Sequence, residues 1–249
     1  MLAPGAQPLD TDLLHCDLLG RPPCPGPATR GPDRGGTGSG NDTTNRHRTP
    51  GLPGEGRLAY VPAEVALLQA RLPHSVLLAE PPAADHVPAH QIPTKASVLE
   101  HLPGCTIAHF AGYTDPADPS QSRLLLHDHR RDPLTVAALA PLALDHAQLA
   151  YLSACSTASV TDDRLLDEAI HLASAFQLAG FPHVIGTLWA IDDAIAVEIA
   201  DSFYAALTNP DGTLDPHRAA DALHHATRTQ RDQRPASPYL WASHIHAGP

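Results

Sequence analysis

The sequence predicts an α/β fold, a mostly parallel sheet flanked by helices on both faces, and three observations carry that expectation. From Arg57 onward, apolar runs of strand length alternate with segments whose apolar residues recur at helical spacing. Two of those segments repeat one pattern: Ala169, Leu172, Ala173, Phe176, Ala179 and Gly180, and then Ala196, Ile199, Ala200, Phe203, Ala206 and Leu207, fall at i, i+3, i+4, i+7, i+10 and i+11. Hydrophobic residues make up 43% of the 249-residue chain and aromatic ones only 4%, so the core must rest on Leu, Ala, Val and Ile, which suits helices laid on a sheet. A chain of this length holds one ordinary domain plus extra segments.

Taken in order, residues 1 to 56 form a Pro/Gly-rich leader, as in Arg21-Pro22-Pro23-Cys24-Pro25-Gly26-Pro27. Such a composition cannot repay ordering entropy, so the leader is expected to be disordered, with Leu13-Leu14 and Leu18-Leu19 making at most a short helical turn. The domain proper is expected over residues 57 to 248. Its first helix, residues 62–72, has Pro62 at a tolerated N-terminal position and Glu64 in the favourable first turn. A short strand follows at 75–79. Thr94 is a plausible N-cap for a helix through Val98, Leu99 and Leu102, after which 105–111 reads as a buried strand. Residues 123–135 read as a small excursion that ends at Thr135, the cap of a short helix over 136–142. The next strand, 148–154, places Cys155 at its carboxyl end, where open α/β sheets collect reactive and binding groups. The two patterned helices enclose a strand at 183–188; Gly180 stops the first, and Asp192 or Asp193 caps the second. A last helix starts at Asp215-Pro216 and runs to about residue 233.

The formal charge of -11 and the lack of any basic run argue against a nucleic-acid partner. The 17 histidines make that charge sensitive to mild acid. No stretch approaches the ~18 apolar residues of a membrane span, and the opening residues lack the form of a secretory signal, so a cytoplasmic protein without membrane contact is expected. Four dispersed cysteines, Cys16, Cys24, Cys105 and Cys155, are too few for a disulfide framework and are expected as reduced thiols. No metal site is expected. Cys16 and Cys24 beside His15 fit no zinc spacing, and His224-His225 and His244 with His246 lack a third ligand and read as solvated. No cofactor motif is present.

Read from the residues alone, Ser153-Ala154-Cys155-Ser156-Thr157-Ala158 has two meanings: a nucleophilic thiol at a strand end, or a free cysteine buried as a small hydrophobe. His109, inside its strand, reads as a buried histidine satisfied by a hydrogen bond.

Several blocks decide between them by resemblance. Ala108-His109-Phe110-Ala111, Ser122-Arg123-Leu124-Leu125-Leu126, Leu152-Ser153-Ala154-Cys155-Ser156-Thr157, Asp167-Glu168-Ala169-Ile170, Ile185-Gly186-Thr187-Leu188-Trp189 and Pro238-Tyr239-Leu240-Trp241-Ala242 resemble, in order, successive blocks of the CHAT domain family. That family consists of caspase-like cysteine peptidases, found mostly in bacteria, and the resemblance covers about residues 57 to 248. It implies a caspase-like sheet, Cys155 as the nucleophile, and a protein or peptide as substrate or partner. It also implies that Asp192 and Asp193 line a pocket favouring a basic side chain, although either aspartate also fits an N-cap.

The chain departs from the family at the histidine that should activate the thiol. Relatives read approximately His-Phe-Ala-x-His-Gly, with the second histidine catalytic; here the text is His109-Phe110-Ala111-Gly112-Tyr113-Thr114-Asp115-Pro116. One alignment deletes the x-His pair and matches Gly112 to the family's glycine, in the region where amides receive the oxyanion. The gapless one puts Tyr113 in the histidine's place. In both, the base is missing. Tyrosine, titrating near ~10, is a poor general base. His109 is a weak substitute because four residues of strand span ~13 Å, and His127 and His129 lie on the excursion. A second departure is that Asn41 to Arg48, where relatives place an apolar first strand, is wholly polar, so the first strand is expected to be missing or replaced and its neighbours to expose an edge. Three readings follow: a pseudo-peptidase or protein-interaction module, an active cysteine endopeptidase with a relocated base, and a degenerate copy without function.

Overall fold

The computed structural model describes residues 13–17, 60–72, 75–80, 88–115, 123–156, 164–189 and 192–249. Its strands are β1 (Leu13–Asp17), β2 (Val76–Ala79), β3 (Ile107–Asp115), β4 (Arg123–Leu124), β5 (Leu134–Thr135), β6 (Leu149–Ser156), β7 (His183–Thr187) and β8 (His244–Ala247). The helices are α1 (Val61–Arg71), α2 (Lys95–His101), α3 (Val136–Leu139), α4 (Arg164–Ala179), α5 (Asp193–Leu207) and α6 (Ala219–Gln233). One sheet runs in the order β2-β1-β3-β6-β7-β8, and the β4–β5 hairpin is attached to the end of β3. β3, β6 and β7 are parallel, and β2 points the same way because both it and β3 are antiparallel to β1. The expected mixed α/β class, with a mostly parallel sheet flanked by helices, is the observed one.

Alternation along the central strands builds two cores. Ala108, Phe110, Ala150 and Leu152 join Val98, Leu139 and Phe176 on one face; Ile107, Ala111, Leu149 and Tyr151 join Leu68, Ile199, Phe203 and Leu223 on the other. Side chains along a strand alternate between faces, so burial of both sets requires helices on both sides: α2, α3 and α4 on one, α1, α5 and α6 on the other. Local chemistry sets the helix ends. Thr94 and Ser97 form a reciprocal capping box on α2, and Thr135 accepts from the Ala138 amide at the start of α3. Gly180 ends α4 at φ 126°, and a Cβ there would meet the Leu144 carbonyl oxygen at 2.6 Å, so only glycine fits.

Four expectations are corrected. Leu13–Asp17 is a strand, neither disordered nor a helical turn, and it fills the slot between β2 and β3 that was expected to lie open. Composition misses it because the ordering entropy of five residues is offset by pairing on two sides, which only the assembled sheet supplies. The rest of the leader, including Asn41 to Arg48, lies outside the described residues. The tail is not solvated: residues 244–247 pair antiparallel with β7, and His244 is buried. Among the proposed thiols, Cys105 is fully buried and in a disulfide. β3 runs four residues past its expected end, to Asp115.

Candidate functional site

The carboxyl ends of β3 and β6 lie side by side in unbroken parallel register from Ile107 with Leu149 to Thr114 with Ser156. Gly112 is thereby opposite Ala154, and Tyr113 opposite Cys155. The side chains of Tyr113, Cys155 and their immediate neighbours lie outside the described residues. Beneath them, a narrow cleft of about 20 Å³ is lined by Tyr60, Val61, Glu64, Gly112, Ser153, Asp193 and Ala196. The cleft thus brings together the start of α1, the start of α5 and the ends of the two central strands.

The two candidate pocket aspartates divide. Asp192 spends Oδ1 on α5, accepting from the Ala194 and Ile195 amides at 3.0 and 3.3 Å, whereas Asp193 lines the cleft. Gly112 also lines it, and its backbone is buried.

His109 lies below the cleft, not in it. Its register partner on β6 is Tyr151, four residues before Cys155, and it is fully buried. Both ring nitrogens are engaged: Nε2 with Glu64 Oε1 at 3.0 Å and Nδ1 with the Tyr204 hydroxyl at 3.0 Å. The ring stacks on Tyr151, centroids 4.7 Å apart and planes 9° from parallel. Burial, reinforced by the Glu64 charge, holds the Tyr151 phenol well above the usual tyrosine range, and its hydroxyl finds no partner among the described residues.

The other histidines considered as bases are committed elsewhere. His127 Nδ1 lies 2.8 Å from Glu80 Oε2, just past β2. Burial pushes the Glu80 carboxyl up, with the His127 contact opposing it. Since β2 is three strand positions from β6, this pair is held roughly 14 Å from the strand of Cys155 by the ~4.8 Å strand spacing. His129 donates from Nδ1 to the Leu126 carbonyl oxygen at 2.7 Å, and it is buried.

Sequence reasoning missed Glu64, reading it only as a first-turn acid. A signal was available: Glu64 falls at i+3 from Val61 and i−4 from Leu68, on the stripe that α1 turns to the core. An acid on that stripe needs a partner, and His109, inside a strand buried on both faces, supplies it. Among the described residues, no group of three or more His, Cys, Asp or Glu is arranged to hold a metal, and no helix is long and apolar enough to cross a membrane.

Two comparisons bear on this geometry. The sequence pattern of the CHAT domain matches residues 26–249. No curated protein matches the chain.

Proposed function

The chain belongs to the CHAT domain family, and we propose that it acts as a pseudo-peptidase: a caspase-like cleft that binds a protein segment but does not cleave it. The observation that carries this reading is the register of Tyr113 with Cys155. In the family the base stands at the end of one strand and the thiol at the end of the next, and here the position beside the thiol belongs to a tyrosine. An unbroken eight-position pairing favours substitution over deletion, because a β3 shortened by two residues has no reason to keep step with β6 through Thr114. The engagement of His109 with Glu64 and Tyr204, and of His127 with Glu80, supports the absence of a relocated base among these groups. Without a base, a thiol of ordinary pKa ~8.5 is mostly un-ionised at neutral pH and attacks slowly.

The partner we propose is an extended segment with a lysine or arginine, drawn by Asp193 at the cleft. The test uses fluorescent peptides that differ only in arginine or alanine at one position. Binding that prefers arginine, weakens in Asp193→Asn and leaves the peptide intact supports the proposal. Turnover that disappears in Cys155→Ala contradicts it.

A further inference from the structure

β8 ends the sheet, and among the described residues it pairs on one side, with β7. Histidines fill that junction. His246 is in register with Ile185, on the face that also carries His183, and its Nε2 lies 3.1 Å from His183 Nδ1 with the two rings stacked. His183 is 2% exposed, and its Nε2 is buried without a partner among the described residues. His244 shares the face and is buried too; its Nδ1 meets Ser243 Oγ at 3.2 Å, and its Nε2 has no partner among the described residues.

A single proton joins His183 to His246, so the contact requires at least one neutral ring; two protonated rings would set N–H against N–H. The surroundings oppose added charge. His217 meets the His183 ring edge-on, centroids 5.9 Å apart, so charge on one repels charge on the other. Asp215 bears on His183 and favours its charge, but burial outweighs it. α6, packed against β8, turns Ala219, Ala222, Leu223, Ala226 and Gln230 inward, none of which titrates. The stretch before β8 also grips the exit of β7: the Leu188 amide donates to the Ser243 carbonyl at 2.8 Å, and the Trp189 indole N–H to the Tyr239 carbonyl at 2.9 Å. Asp193, four residues past Trp189, lines the cleft.

We propose that β8 is an acid-releasable strand: protonation of His183, His244 and His246 undocks it from β7, frees the chain at Leu188 and Trp189, and loosens the wall of the cleft that carries Asp193. Docked, these rings are held neutral; released, each takes up a proton. One pH unit below the ordinary histidine value of ~6.5, each ring shifts the docking equilibrium toward release by up to about tenfold. A four-residue strand at the sheet's edge is where local opening costs least. The effect on the cleft, unlike the release itself, rests on reading the cleft as a peptide-binding site.

The test is amide hydrogen exchange of the full chain at pH 7.5 and 5.5, each normalised to the unstructured-chain rate at that pH. Residues 244–247 and the Leu188 amide should lose protection at least tenfold at pH 5.5, while residues 107–111 and 149–152 keep theirs. Equal protection at the two pH values overturns the proposal, as does an equal loss in all these segments, which marks global unfolding. His246→Gln keeps a neutral hydrogen-bonding group toward His183 and should show a loss at least threefold smaller; a loss as large as the native chain's overturns the assignment to these rings. The arginine-containing peptide, titrated at both pH values, reads the coupling: its binding should weaken at least threefold at pH 5.5, and less in His246→Gln. Equal binding at both pH values with residues 244–247 released overturns the coupling. A peptide that binds at neither pH contradicts the cleft reading, and the exchange data then decide the release of β8 by themselves.

Discussion

Glu64 joins the cleft to the core. Its carboxylate meets the His109 ring, which in turn meets the Tyr204 hydroxyl, so α1, β3 and α5 are tied by three side chains with little access to water. Glu64→Leu leaves a buried imidazole nitrogen unpaired and should lower stability by about 2 to 3 kcal/mol. Glu64→Gln keeps a partner for that nitrogen and should cost about 1 kcal/mol. Urea unfolding of the three chains checks the order. At the neighbouring strand end, Tyr113→His should restore an imidazole in register with Cys155 and increase alkylation at neutral pH about tenfold or more, since a cationic neighbour lowers a thiol pKa. The thiol's place at a strand end was legible from the apolar run before it, whereas the choice between a deletion and Tyr113 was not. Two alignments of one short block differ by two residues, and only pairing with β6 distinguishes them.

At the scale of elements, α4 and α5 were legible because their apolar stripes recur at 3.6-residue spacing regardless of neighbours. β8 was not, because His244, Ile245, His246 and Ala247 read as a polar tail until β7 offers an edge. That pairing buries histidines. His183 Nδ1 lies 3.1 Å from His246 Nε2, and the His183 ring also faces His217, with Asp215 the nearby acid. Burial lowers the pKa of His183, with the His217 charge adding to it and Asp215 opposing; burial, then His183, lowers that of His246. His244, buried with Nε2 unpaired among the described residues, is lowered by burial to about 4. The unfolded chain therefore binds more protons than the folded one between about pH 4 and ~6.5, so stability falls as pH drops through that window. His244 alone contributes a loss of ~3 kcal/mol across it. Thermal unfolding from pH 7.5 to 4.5 should show a steady fall in Tm, reduced in His244→Phe, which removes the titrating group while keeping a ring; an equal fall in both chains contradicts the assignment to His244.

For the molecule as a whole, the family fold was legible from Arg57 onward, and its completion was not. The slot beside β3 is filled by a strand that arrives antiparallel from a leader whose average composition favours disorder. Local composition carries no information about a slot assembled by residues 76–79 and 107–111. Because Cys105 is held in a disulfide, reduction should shift the urea midpoint of the whole domain downward, and an unchanged midpoint would show that this bond adds nothing to global stability.

The central claim is that Cys155 stands at the end of a family strand without a base to activate it. The pH dependence of alkylation at Cys155 between pH 5 and 10, with Cys155→Ala as control, tests this most directly. A thiol without a partner gives a single rise with its midpoint at or above the ordinary ~8.5, at rates no faster than a model thiol. Fast labelling that is already at its plateau by pH 7 would reveal a thiolate stabilised by a nearby cation, and would contradict the account.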